Sequence, residues 1–244
     1  MRILVTRPEP DAGQQAEKLV ARGHAPVIAP LLTVAFSNGA PLDLAGVQAL
    51  IVTSRNGLRA LAAHPQFAEA VRLPLYAVGN ATARVAAGLG FARVIEGPGT
   101  GEGLSELIAR ALTSDVGALL HISGEAIAFD IAASLEAGGF DMRRAILYRT
   151  VPAPALPASV LSLLETGELD GAILMSPQTA STLAALVERH DVLTPFARVI
   201  CYCLSEAVAE AAAPAATEIR VAKRPLEEDV LALIESEAAS SSRS

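Results

Sequence analysis

Six short polar clusters punctuate an otherwise apolar chain. They are Thr6-Arg7, Thr53-Ser54-Arg55-Asn56, Gly79-Asn80-Ala81-Thr82, Ser123-Gly124-Glu125, Ser176-Pro177-Gln178-Thr179 and Leu204-Ser205-Glu206. Each follows a short apolar run and reads as the start of a helix. Free backbone N–H groups at such a start, with the helix dipole behind them, bind carboxylate or phosphate. Ser and Thr are also ordinary helix caps, so one cluster alone says little. Six of them, spread along the chain, suggest a ligand that carries many acidic groups.

Other chemistries lack their residues. There is no G-x-x-x-x-G-K-S/T phosphate loop. Gly97-Pro98-Gly99-Thr100-Gly101-Glu102-Gly103 is spaced G-x-G-x-G-x-G and comes late in the chain, so it reads as a flexible loop and not as a dinucleotide fingerprint. His24, His64, His121 and His190 stand apart, with no partner at metal-ligand spacing, so no metal is expected. His121 sits in an apolar run and reads as a satisfied core or cleft-edge residue. No G-x-S-x-G elbow is present. Cys201 and Cys203 lie two apart, where an intra-strand disulfide is poorly favoured, so they read as buried, reduced thiols.

The elements that must hold these clusters follow from the apolar pattern. Candidate strands are 3–6, 26–29, 50–53, 75–78, 93–95, 118–122, 145–148, 172–175, 199–203 and 218–221. Helical stripes lie between them, such as Leu104, Leu107, Ile108, Ala111 and Leu112, or Ala180, Leu183, Ala184 and Val187. Ala128, Ile131, Ala132 and Leu135 form another, closed by Gly138-Gly139. Near-continuous apolar strands alternating with helices indicate parallel sheets covered on both faces. Ligands then bind beyond the carboxyl ends of the strands, where the polar clusters fall.

Two breaks divide the chain, Ser37-Asn38-Gly39-Ala40-Pro41 and the proline-rich run 151–157. The expected architecture is α/β, with two flavodoxin-like parallel-sheet domains. Residues 38–148 form a domain inserted into a first one made of 1–34 and 152–244. The stretches 35–37 and 149–151 form a two-segment hinge, and the tail 238–244 frays. A faint repeat relates 50–58 to 172–180 and 77–83 to 201–207, consistent with two similar halves facing across a cleft.

Composition narrows the partners. The 244 residues are 52% apolar and 18% charged, which is ample for a core and excludes disorder for the bulk of the chain. The net charge of −7 excludes strong, diffuse binding to nucleic acid or to an anionic membrane. Only 3 Tyr, 6 Phe and no Trp are present, too few rings for stacking on single-stranded nucleic acid. The apolar run at the N-terminus is too short for a signal peptide, and no stretch approaches the roughly 18 apolar residues of a membrane span. A cytoplasmic location is expected.

At its polar clusters the sequence resembles the uroporphyrinogen-III synthase family. The resemblance rests on Val5-Thr6-Arg7-Pro8, on Val52-Thr53-Ser54-Arg55-Asn56-Gly57-Leu58 and on Val78-Gly79-Asn80-Ala81-Thr82-Ala83. It continues in Tyr148-Arg149-Thr150-Val151 and Ser176-Pro177-Gln178, and runs to about residue 235. The chain departs from the family pattern late, where Cys203 stands for a glycine and Glu206 for a threonine.

The resemblance implies cyclisation of the linear tetrapyrrole hydroxymethylbilane to uroporphyrinogen III, with loss of water and inversion of the last pyrrole ring. It implies neither metal nor cofactor. Tyr148 matches the family's candidate proton donor. Thr6, Thr53, Ser54, Asn56, Gly79, Asn80, Thr82, Ser123, Gly124, Ser176, Pro177, Gln178 and Ser205 would meet the substrate's acidic arms, with Arg7, Arg55 and Arg198 as charge partners. The expected state is a monomer that receives its substrate by transient hand-over from the preceding enzyme. The competing reading is a non-catalytic cytoplasmic binding or sensing protein for an organic polyanion. If neutral donors and dipoles do the binding, KM for hydroxymethylbilane should change little between low and high salt; a steep rise would mean that arginines carry it.

Overall fold

The structure is a computed structural model that describes residues 1–37, 39 and 41–241. The chain opens with β1 (Arg2–Val5), α1 (Asp11–Ala21), β2 (Ala25–Ile28) and β3 (Leu32–Phe36). It continues through β4 (Val47–Val52), α2 (Arg55–Ala62), α3 (Phe67–Ala70), β5 (Leu75–Ala77), α4 (Asn80–Gly88) and β6 (Val94–Glu96). Next come α5 (Gly101–Ala111), β7 (Ala118–Gly124), α6 (Ile131–Glu136) and β8 (Met142–Pro152). The remainder is α7 (Ala158–Glu165), β9 (Gly171–Leu174), α8 (Pro177–Arg189), α9 (Leu193–Phe196), β10 (Ile200–Cys203), α10 (Glu206–Ala212), β11 (Glu218–Val221) and α11 (Glu227–Ser241).

These elements form two compact units. One comprises Met1–Thr33 with the chain from Val151 onward, the other Val34–Thr150. The first holds a sheet in the order β11-β10-β9-β1-β2, all parallel. Numbered along the chain this is the doubly wound order 2-1-3-4-5. Ile3 and Val5 pack on one face with Val230, Leu231 and Ile234 of α11, and Leu4 packs on the other with Leu183 and Leu186 of α8. Both faces are covered, so residues 3–5 of β1 and 172–174 of β9 all face apolar neighbours. That is why β1 and β9 read as unbroken apolar runs.

The second sheet runs β3-β8-β7-β4-β5-β6. Its parallel strands β4 to β8 take the doubly wound order 3-2-1-4-5. Leu50 and Val52 pack toward Leu58 and Leu61 of α2, while Ala49 and Ile51 pack toward Leu104 and Ile108 of α5. At its edge β3 runs antiparallel to β8, because the Ala153 N–H meets the Leu31 carbonyl and the Ser37 N–H meets the Leu147 carbonyl.

Several expectations change here. Strand β3 was not foreseen, and β8 starts three residues earlier and ends four later than the apolar run 145–148. The charged start Met142-Arg143-Arg144 is still strand because it pairs with residues 119–121 of β7, while Arg143 donates to the Ala45 carbonyl at 2.6 Å and Arg144 to acceptors at the end of β7. The stretches 35–37 and 149–151 therefore lie in or beside strands. Pro152 ends β8 opposite Leu32, at a position whose N–H points away from β3, so its missing donor costs no ladder bond. Ala128 lies before α6, whose first turn is capped by the Asp130 carboxylate accepting from the Ala133 N–H. The last residues, 238–244, are helical as far as Ser241; residues 242–244, like 38 and 40 of the first break, lie outside the described residues.

The centre of the first sheet depends on a glycine. A Cβ on Gly171 would come within 2.6 Å of the buried Tyr202 ring and 3.1 Å of the Ile200 carbonyl and the Ile3 side chain. Gly171→Ala is expected to lower stability by about 1–3 kcal/mol through overpacking. A drop in the urea midpoint at constant m-value checks it, and an unmoved midpoint would show that the ring yields freely.

Candidate active site

In a sheet of order 3-2-1-4-5 the crevice opens where strand order reverses, between the first and fourth strands. Those are β4 and β7 in the second unit. A pocket of about 350 Å³ lies there, lined by Thr53 and Ser54 after β4, Val78 after β5, Gly124 at the end of β7 and Tyr148 on β8. Gly99 and Gly101 close one side, and residues 126–129 form the wall that ends in Phe129. Among the described residues that line it, none carries a charge.

Local rules set the first group. Ser54 is extended (φ −148°, ψ 148°) and its Oγ accepts from the Gly57 N–H at 3.1 Å, capping α2. The same Oγ lies 2.8 Å from the Tyr148 hydroxyl. Thr53, one residue earlier, turns its Oγ1 toward His121 Nε2 at 3.3 Å. His121 is buried, and burial followed by the nearby Arg144 charge pushes its pKa down to about 4, against a smaller opposing pull from Asp130. The imidazole is therefore neutral at pH 7.

Tyr148 is held by register. Ser123 pairs with Ile146 but Gly124 pairs with Tyr148, so β8 carries one extra residue there. This bulge sets the phenol level with Gly124. A Cβ on Gly124 would lie 2.6 Å from Tyr148 Cζ and 3.0 Å from its hydroxyl. The ring occupies the space a side chain would need. Arg144 completes the corner. Its Nε donates to Ser123 Oγ at 2.8 Å, and its Nη2 donates to the Gly124 and Glu125 carbonyls at 2.7 and 2.8 Å.

Other assigned residues are placed differently. The cluster Ser123-Gly124 belongs to strand β7 and opens no helix; a six-residue connection precedes α6. Ser123 is buried, with its hydroxyl taken by Arg144. Thr82 is buried with Ala83 and Ala86 on α4 and is not among the residues that line the pocket. Gly79 caps α4 and touches the Gly-rich run, since a Cβ there would lie 3.0 Å from Gly99 Cα. That run is no loose loop: the Gly97 and Gly99 N–H groups donate to the Ala77 and Val78 carbonyls at 2.8 and 2.7 Å. Asn80 is exposed and donates to Glu96, and Asn56 accepts from Arg59 within the first turns of α2, which begins at Arg55.

In the first unit, Thr6 is buried and donates to the Ile173 carbonyl at 2.6 Å, joining β1 to β9. The Arg7 guanidinium contacts Asp11 at 3.3 Å and Glu227 at 3.2 Å, with a side chain only 13% exposed. Burial pushes the Glu227 pKa up, but the hydrogen bond from Lys18 and the charges of Arg7 and Lys18 outweigh it and hold the carboxyl below its ordinary value. Arg7 is thus neutralised within its own unit. Ser176 caps α8, accepting from the Thr179 N–H at 3.2 Å, and Pro177 and Gln178 follow in the first turn. Ser205 precedes α10 in extended geometry with no side-chain cap bond. Arg198 lies before β10, whereas the polar clusters follow strand ends. It is exposed beside Gly167, about 13 Å of strand away from Ser205.

The family model described as uroporphyrinogen-III synthase HemD matches residues 13–232. The chain belongs to the uroporphyrinogen-III synthase family. As a member it is a lyase of tetrapyrrole biosynthesis, acting on hydroxymethylbilane. No curated protein matches the chain. Two solved structures share the fold at 18% identity. One is a uroporphyrinogen-III synthetase from Helicobacter pylori, with TM-score 0.65 over 96% of this chain and 98% of that one. The other is a mutant uroporphyrinogen III synthase from Thermus thermophilus, with TM-score 0.55 over 98% and 99%. No helix among the described residues is long and apolar enough to cross a membrane.

Arg144 and the wall 126–129 were missed from the sequence, and His121 was read without its Thr53 partner. A pH test follows from His121. Its folded pKa lies below the unfolded value of 6.5, so the unfolded chain binds the extra proton between those values. Stability from this group is complete near pH 7 and falls as pH drops from 6.5 toward 4, by about 3 kcal/mol in all. His121→Gln is expected to flatten the pH dependence of the urea midpoint in that window; identical slopes for both proteins would refute the assignment.

Proposed function

We propose that the pocket at Ser54 and Tyr148 is where the hydroxymethyl end of hydroxymethylbilane reacts. The observation that carries this reading is the hydrogen-bonded series from the Gly57 N–H to Ser54 Oγ and on to the Tyr148 hydroxyl at the pocket wall. With Gly57 donating into Ser54, the Ser54 proton is available to the phenol oxygen. The phenol proton is then left for a ligand, and each bond in such a chain polarises the next.

The chemistry needs little more. The terminal C–O bond breaks as the pyrrole nitrogen lone pair pushes in, and the departing oxygen takes a proton to leave as water. Tyr148 donates that proton, or its hydrogen bond, and the first turn of α2 stabilises negative charge left on the phenol. The azafulvene cation so formed is attacked by the substituted carbon of the last ring. The spiro intermediate then opens and reinserts that ring inverted, and a ring proton is lost to restore aromaticity. Unaided, the linear substrate closes to the uninverted isomer, so the main task is to hold both ends in one geometry.

Neutral groups suit that task. Thr53, Ser54, Gly124 and Tyr148 line the pocket with neutral groups, so the cation meets no fixed charge of either sign there. In this reading the chain works as a cytoplasmic monomer, taking a self-closing substrate by transient hand-over from the enzyme that makes it. The free, buried Cys201 and Cys203 fit a reducing compartment.

Supplying hydroxymethylbilane, oxidising the product and separating porphyrin isomers tests the reading. Tyr148→Phe is expected to reduce isomer III formation by about a hundredfold while isomer I rises to the level without enzyme. An unchanged rate of isomer III formation would remove Tyr148 from the chemistry.

A further inference from the structure

We propose that Arg144 is a positioning residue for the ring closure, acting through Tyr148; the proposal rests on the role given to Tyr148 above. Arg144 stands level with His121 in the β7–β8 pairing, four residues before Tyr148. Its guanidinium donates to three acceptors on consecutive residues, Ser123 Oγ and the Gly124 and Glu125 carbonyls. Three bonds from one planar fork fix a turn in position and in tilt. Bonds from an ionised donor are also stronger than those from a neutral one.

The turn held in this way is the surface on which the catalytic phenol leans. Gly124 lies against the Tyr148 ring with no room for a Cβ. The Glu125 N–H returns to the Tyr148 carbonyl at 2.9 Å. The end of β7 is therefore clamped between the side chain of Arg144 and the backbone of Tyr148. Loss of the fork frees two carbonyls and lets the turn shift. The ring follows, and its hydroxyl leaves the 2.8 Å contact with Ser54. A lysine keeps the charge beside His121 but offers one ammonium where three acceptors need a fork.

A kinetic double-mutant cycle separates positioning from stability. Arg144→Lys is made in the wild-type and in the Tyr148→Phe background, and kcat and KM for isomer III formation are measured on variants whose circular dichroism matches wild type. In the wild-type background kcat should fall about tenfold or more with KM within about twofold, as for a small displacement of a reacting group. In the Tyr148→Phe background the same change should move kcat by less than about twofold. An equal loss in both backgrounds, or wild-type kcat in Arg144→Lys, overturns the proposal. If Tyr148→Phe itself keeps the wild-type rate, the reading of Tyr148 fails first and this one falls with it, a result distinct from the other two. Should Arg144→Lys not fold, Ser123→Ala removes one of the three acceptors and is scored by the same rule, with a smaller loss confined to the tyrosine background.

Discussion

The last residue of β7 has no side chain, because the ring of Tyr148 fills that space. A methyl group on Gly124 would collide with Tyr148 Cζ at 2.6 Å. The contact exists only because β8 holds one more residue than β7 between Ile146 and Tyr148. From it follow the reach of the phenol to Ser54, the shape of the pocket and the need for something to hold the 123–125 turn. A bulge beside a pocket re-aims one side chain without rebuilding the sheet.

The two units use one packing principle in two orders. Each sheet is buried on both faces, and each reverses its strand order once. In the second unit the reversal at β4 and β7 leaves open space, and the pocket lies there. In the first, the corresponding pair β1 and β9 is tied by the Thr6 hydroxyl on the Ile173 carbonyl. Arg7 beside it is occupied by Asp11 and Glu227. Residues of similar type at equivalent strand ends thus do different work, one set lining a pocket and the other closing the framework.

Charge tells a similar story. A chain with a net of −7 belongs to a family whose substrate is rich in carboxylates. The described pocket offers hydroxyls, backbone and a neutral imidazole behind Thr53, with arginines turned to internal acceptors. Arg143 braces the Ala45 carbonyl, Arg144 the β7 turn and Arg7 its two carboxylates. With these cations spent on structure, the pocket lining carries no fixed positive charge.

Much was legible in the sequence, and for local reasons. Apolar runs at strand length, Ser54 and Ser176 at helix starts, and the α/β alternation need only neighbours within a few residues to be recognised. The short motifs at strand ends, among them those around Thr53 and Tyr148, point to the family that the match over residues 13–232 shows. Strand β3, the charged start of β8, and the burial of Thr6, Thr82 and Ser123 were not legible. Each depends on which element packs alongside, a choice made across up to 168 residues, as where Ile3 of β1 pairs with Gly171 of β9. The sequence by itself determined most of the segments that extend or coil and the family to which the chain belongs. Only the tertiary structure decided which hydroxyls face a pocket, which arginines are already bound, and that Tyr148 meets Ser54, because register and burial are properties of the packed sheet and not of any one strand.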